Sequence, residues 1–304
     1  MKPLFIQSDK MITHLISAVF KALGFVPRSW TLAFGNFLGR VWYRFDKNRK
    51  SITLDNLTRA FENEKNPAQI EALARQVFIN VVQIVFEIIW SLRLKDRDLA
   101  RHFYIKNEVN LKAAHKKKKG VLLLSGHTGN WELLGVAVGM LDYSFNNIYK
   151  PLRTKPLDRF AYDIRTRFGL KLIIHKRSMR KILRALKRGE CVNLFLDQSV
   201  DWYEGVFVDF FGRRTCTNTG LALLALKTGA PVVPVFLIRD GKRFRVEFGR
   251  EVPLIKTGDK TKDVEANTQQ YTKIIEAYIR RYPDQWLWIH RRWKVRPYQP
   301  WPRQ

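Results

Sequence analysis

His127 and Glu132 stand five apart in Ser125-Gly126-His127-Thr128-Gly129-Asn130-Trp131-Glu132, directly after an apolar run of strand length, Val121 to Leu124. A second apolar run, Leu133 to Met140, follows at once and reads as a buried helix. On one continuous helix these two side chains would point about 140° apart, since each residue turns about 100°. They can meet only if His127 lies in the loop and the chain folds back. Thr128 and Asn130 are helix-capping residue types, which places the helix start after His127. A loop histidine facing a carboxylate is what general-base chemistry requires. The carboxylate fixes the tautomer through one ring nitrogen, and the other nitrogen removes a proton from an attacking hydroxyl. Taken alone, the spacing fits a capping-loop histidine in an ordinary salt bridge better, and the rest of the chain has to decide.

The elements that would position this turn alternate in type. Leu170–Ile174 reads as a strand, and Met179–Lys187 as a helix closed by Gly189. Cys191–Leu196 reads as a strand, Gly220–Lys227 as a helix stopped by Gly229, and Val232–Ile238 as a strand. Phe244–Phe248 suggests an antiparallel edge strand, and residues 263–281 a helix. Such alternation predicts an α/β fold, a mixed, mostly parallel sheet covered by helices. Sites in these sheets lie at the carboxyl ends of strands. His127 falls at one such end, and Asp197 and Gln198 at another, so both can border one cleft. Residues 46–304 show no repeat, low-complexity tract or dividing linker and are expected to form a single domain.

Residues 1–45 have a different character. His14, Ser17 and Lys21 make one polar stripe on an apolar helix over 11–23, Gly24 and Pro27 interrupt it, and an aromatic stretch runs from Trp30 to Phe45. Neither half reaches the roughly 20 residues of a spanning helix. Lys21 and the want of a small-residue cleavage site argue against a signal peptide. With its flanking Lys and Arg, segment 1–45 is expected to be a helical hairpin or interfacial membrane anchor, with a helical pair packed on the core as the alternative. Residues 68–94 read as a long, nearly buried helix, with Glu87 a satisfied core carboxylate.

The charge narrows the partners. Lys+Arg 55 against Asp+Glu 27 gives +28, which implies an anionic partner: nucleic acid, a phospholipid surface, a phosphorylated lipid or an acidic protein. A hydrophobic content of 46% excludes disorder. Cys191 and Cys216 form no C-x-x-C and fit buried thiols in a reducing compartment. The run Lys116–Lys119 precedes the central strand, roughly 20 Å from His127 at about 3.3 Å per residue, and is expected to act in association and not at the reacting atoms.

The whole chain resembles the late acyltransferases of lipid A biosynthesis, the lauroyl and myristoyl type, within the lysophospholipid acyltransferase superfamily. The resemblance rests on several blocks in order: Gly126-His127-Thr128-Gly129-Asn130-Trp131-Glu132, Tyr149-Lys150-Pro151-Leu152, Arg165-Thr166-Arg167-Phe168-Gly169, Asp197-Gln198, Thr217-Asn218-Thr219-Gly220, and Tyr282 through Lys294. It implies a glycerolipid-acyltransferase-like fold and a catalytic His127–Glu132 dyad, with Arg165 also needed for activity and Asp197, the acidic residue heading a later block, expected with Arg165 at the substrate. It also implies acyl carrier protein (or coenzyme A) as carrier of the acyl co-substrate, with no cofactor. The implied acceptor is an anionic, phosphorylated glucosamine disaccharide, and the implied location is the cytoplasmic face of the bacterial inner membrane. The family often carries a second acidic residue two places after Asp197, where this chain has Ser199.

On this basis His127, held by Glu132, is expected to deprotonate the acceptor hydroxyl for direct attack on the thioester, without a covalent acyl-enzyme. Backbone N–H groups around Thr128–Trp131 are expected to receive the oxyanion. Lys150, Arg153, Arg165 and Arg167 follow the catalytic turn and are expected to meet phosphate or the carrier, with an Arg165–Asp197 structural ion pair as the alternative. No metal is required. Another envelope lipid as acceptor remains the alternative function. A nucleic-acid-binding module is disfavoured, because no basic-region or RNP motif accompanies the charge. A non-catalytic membrane scaffold would have no need of the dyad.

Overall fold

The apolar runs assemble into one seven-stranded sheet in the structure, a computed structural model that describes residues 18–294. The strands are β1 (Phe103–Lys106), β2 (Val121–Ser125), β3 (Phe145–Tyr149), β4 (Lys171–Ile174), β5 (Cys191–Phe195), β6 (Gly205–Phe210), β7 (Arg213–Asn218), β8 (Val232–Asp240) and β9 (Arg243–Phe248). The sheet order is β1-β9-β8-β2-β5-β3-β4, while β6 and β7 pair separately as an antiparallel hairpin. Strands β2, β3, β4, β5 and β8 run parallel, and β9 is antiparallel to β8. The expected mixed, mostly parallel α/β architecture is present.

Period-two alternation makes this sheet the middle of a sandwich. On β2, Leu122 and Leu124 enter one core with Leu57, Phe78, Ile182, Leu221 and Ile275. Val121 and Leu123 enter a second core on the opposite face with Leu99, Leu111 and Leu134. The covering helices are α1 (Arg28–Phe45), α2 (Lys47–Phe61), α3 (Pro67–Ser91), α4 (Asp96–His102), α5 (Glu108–His115), α6 (Leu134–Ala137), α7 (Lys155–Thr166), α8 (Met179–Lys187), α9 (Gly220–Thr228) and α10 (Lys260–Arg281).

Three departures from the sequence reading have local causes. Phe244–Phe248 does lie in an antiparallel strand, but β1 pairs with β9 on its outer side, so β9 is not the edge. β3 escaped notice because Asn146 and Asn147, poor strand formers, occupy its middle. The structure satisfies them: Asn146 donates to Glu190 at 2.8 Å, and Asn147 accepts from Asn193 at 2.7 Å. The Leu133–Met140 run is a short α-helix flanked by two 3-10 turns and not one regular helix.

At the N-terminal side, residues 11–17 of the expected first helix lie outside the described residues, and 18–24 are helical. α3 begins with a reciprocal capping box between Asn66 and Gln69 and with Pro67 in its first turn. By length and composition α3 could cross a bilayer. One face of it carries α1 instead. The two helices approach so closely that a Cβ on Gly39 would lie 2.5 Å from the Ile79 Cα. The outer side of α1 keeps Trp30, Phe34 and Phe37 exposed, at i, i+4 and i+7, with Phe25 and Phe45 beyond them.

Candidate active site

The register of the two central strands builds the site. Ser125 of β2 lies opposite Phe195 of β5, so His127 and Asp197, each two residues further on, emerge side by side. From β2 the chain moves to β3 and β4 at one side, and after β5 it returns to β8 on the other. A crevice at the carboxyl ends of the strands follows from that reversal.

His127 Nδ1 sits 2.8 Å from Asp197 Oδ1. The other carboxylate oxygen accepts the His127 backbone N–H and the Trp286 indole N–H, both at 2.8 Å. Asp197 therefore fixes Nδ1 as the protonated nitrogen and leaves Nε2 as the acceptor, with Gln198 Nε2 3.4 Å away. Burial by itself would raise the Asp197 carboxyl, yet His127 and these N–H donors hold it down to about 2. Burial by itself would lower His127, and the Asp197 carboxylate, helped by Glu132, reverses this and raises it above its ordinary value. Trp131 and Phe195 flank the imidazole, with ring centroids 5.0 and 4.7 Å away.

Glu132 does not hold the imidazole. Both its oxygens are taken by Arg165, whose Nε and Nη2 each donate at 2.7 Å in a bidentate pair. The expected His127–Glu132 contact is thus replaced by His127–Asp197, because the neighbouring strand presents a carboxylate at the same height. Asp197, expected at the substrate, is instead buried beneath the imidazole and outside the cleft lining, and the Arg165–Asp197 alternative falls because Arg165 is taken by Glu132. Glu132, Arg165 and Lys150 line, with His127, a cleft of about 150 Å³. Arg153 is exposed outside that lining. Arg167, expected at phosphate, donates to the carbonyls of Leu92 and Leu94, just past the C-terminus of α3. Lys117 pairs with Glu251 at the amino end of β2, away from the cleft.

The turn after His127 is held from outside itself. The Asn130 side chain donates to Glu87 of α3 at 2.8 Å, and Glu87 also accepts Arg239 of β8. Glu87 is therefore a paired core carboxylate, as its sequence context suggested. Neither Thr128 nor Asn130 caps the helix; a 3-10 turn at Trp131 starts without a side-chain cap. Gly129 has φ 62, and a Cβ there would lie 2.0 Å from the Leu237 carbonyl oxygen, so only glycine fits. Two of the amides expected to receive an oxyanion are already engaged, Thr128 by Gly126 and Gly129 by Gln285.

Trp286 carried no sequence signal beyond its place in a C-terminal block. It is fully buried and packs edge-to-face against Phe210 and Trp288. Replacing it with Phe removes one charge-assisted hydrogen bond from Asp197, worth about 1.5–3 kcal/mol. Asp197 then becomes a stronger base toward the imidazolium, so the acid limb of the rate profile is expected to move to higher pH. A pH–rate profile alongside thermal melting checks this; a variant that melts earlier with an unmoved limb has lost packing alone.

A cleft with an oriented imidazole whose Nε2 is the acceptor nitrogen, at the carboxyl ends of a parallel sheet, suits proton abstraction from a hydroxyl. Comparison with known proteins makes the class specific: the protein is an acyltransferase. A family described as bacterial lipid A biosynthesis acyltransferase matches residues 1–295, and the chain belongs to that family. It is 28% identical over 269 residues to the lipid A biosynthesis palmitoleoyltransferase of Escherichia coli (strain K12), covering 86% of this chain and 84% of that protein. To the lauroyltransferase of the same organism it is 27% identical over 263 residues, with the same coverage. It is also 27% identical over 179 residues to a phosphatidylinositol mannoside acyltransferase of Mycolicibacterium smegmatis, covering 58% of this chain and 57% of that protein.

Proposed function

We propose that the protein transfers a fatty acyl chain from a thioester, carried by acyl carrier protein, to a hydroxyl of a phosphorylated lipid A precursor. The observation that carries this reading is the His127–Asp197 pair, which makes Nε2 the acceptor nitrogen, held only by a long contact to Gln198, beside a cleft lined by Lys150 and the Glu132–Arg165 pair. His127 Nε2 takes the proton of the acceptor hydroxyl as its oxygen attacks the thioester carbonyl. The tetrahedral intermediate collapses with cleavage of the C–S bond, and the imidazolium returns the proton to the departing sulfur. Asp197 orients the ring and stabilises its positive form. Glu132, anchored by Arg165, adds negative charge at the cleft that favours the imidazolium and holds Arg165 in the lining, where it can face the acceptor's phosphate. No acyl-enzyme is needed: burial pushes the Cys191 thiol up to about 12, far from a nucleophile's range.

Purified protein incubated with acyl carrier protein bearing a labelled acyl chain and with lipid A precursor should move the label to the lipid. Absence of any transfer from a thioester would end the reading. The mannoside-acyltransferase relative favours a second acceptor, a mannosylated glycolipid. Mass spectrometry of envelope lipids with and without the protein separates the two, by which lipid loses an acyl chain.

The exposed aromatics of α1, interspersed with Arg40 and Arg44, support an interfacial seat on the membrane, at the cytoplasmic face of the inner membrane in this reading. Full-length protein is expected to sediment with membranes, and changing Trp30, Phe34 and Phe37 together to Ser should release most of it. Full-length protein that stays soluble at moderate salt without detergent would contradict this placement.

A further inference from the structure

Residues 171–188 carry eight Lys and Arg side chains and no acidic one. Lys171 and Arg188 pair with Glu190. The other six, Lys176, Arg177, Arg180, Lys181, Arg184 and Lys187, are exposed and have no ion pair among the described residues. They stand on and just before α8, whose inner side buries Ile182, Ala185 and Leu186 against the sheet. The helix dipole accounts for Arg184 and Lys187, which lie in the last turn of α8, but not for the charges before them. Arg180 and Lys181 lie in the first turn, at the positive end of the helix dipole. Arg180 and Arg184, like Lys181 and Arg184, are like-charged neighbours at helical spacing, which weakens a helix. A face kept cationic against its own helix points to a partner that supplies the missing charge.

Its position says where that partner sits. The His175 N–H donates to the Tyr149 carbonyl at 3.0 Å, and Tyr149 and Lys150 line the cleft with His127. The basic stretch therefore starts at the cleft rim. From there α8 runs back along the sheet toward the start of β5, about 13 Å over nine residues. A flat bilayer at the cleft mouth would reach only the beginning of such a face, and the face shows none of the aromatic side chains that α1 exposes. A protein can cover its full length.

We propose that the outer face of α8 docks an acidic protein surface, that of the carrier which brings the thioester to the cleft. This rests on the donor assigned above. The test compares wild type with the Arg180→Gln, Lys181→Gln, Arg184→Gln triple variant, using the same acyl chain on acyl carrier protein and on pantetheine. The variant is expected to raise KM for the carrier-borne donor about tenfold or more and to flatten its salt dependence. Turnover at saturation and the rate from pantetheine should stay unchanged. An unchanged carrier KM, or an equal loss with both donors, overturns the docking surface. Loss of sedimentation with anionic phospholipid vesicles, with carrier KM intact, overturns it in favour of a membrane contact. A wild-type enzyme that uses the pantetheine thioester and refuses the carrier overturns the donor assignment itself, and the docking surface with it.

Discussion

His127→Ala is expected to lower acyl transfer by about 10²–10⁴-fold, the usual worth of a positioned general base. The protein should remain folded. Asp197 would still accept the backbone N–H of residue 127 and the Trp286 indole, two of its three donors in the native site. Steady-state rates with a labelled thioester, read beside circular dichroism and thermal melting, test both halves of the expectation. A His127→Ala protein that keeps more than about half the native rate would remove the proposed mechanism. The loss should also fall well short of multiplying with a second change at Asp197, since the two residues act as one unit.

The second large effect is assigned to Asp197→Asn, with a loss of about 10⁴-fold where a buried carboxylate orients a catalytic imidazole. An amide in this place offers one acceptor where the carboxylate meets three donors: the ring, the backbone N–H and the indole. Its own NH₂ must then face another N–H. The imidazolium formed during reaction also loses its nearest negative charge. The pH dependence follows with a definite sign. In the native protein, burial lowers His127 but Asp197 and Glu132 raise it beyond 6.5, so the rate's acid limb should lie above that value. In the Asp197→Asn variant the burial effect remains and the largest opposing effect is gone, so the residual activity should show its acid limb at lower pH. A limb that stays put would mean that another group titrates.

Stability should report the same pair. Asp197 is depressed from 3.8 to about 2, so its contribution is present above 3.8 and is lost as pH falls toward 2. His127 is raised from 6.5, so its contribution is present below 6.5 and is lost as pH rises through the higher folded value. The melting difference between native protein and Asp197→Asn is therefore expected to be largest between 3.8 and 6.5.

By itself the sequence determined that His127 lies in a turn after a buried strand, that strands and helices alternate after it, and that Asp197 ends a second strand. These features are local: an apolar run, its length, and the glycine or polar residue that stops it. The family blocks were legible for the same reason, as short contiguous strings. The choice of carboxylate for His127 was not legible, because it depends on β2 and β5 being neighbours in a register that sets Ser125 against Phe195. Glu132 is nearer in sequence, yet Arg165, from the end of α7, takes both its oxygens. Trp286 reaches Asp197 across 89 residues of chain, and Glu87 reaches the catalytic turn across 43. No periodicity in one segment encodes such contacts. β3 and β1 were hidden by polar or short stretches whose strand form depends on partners already in place. Pairing between strands distant in sequence decided which charges meet, and only the folded chain brings them within hydrogen-bond distance.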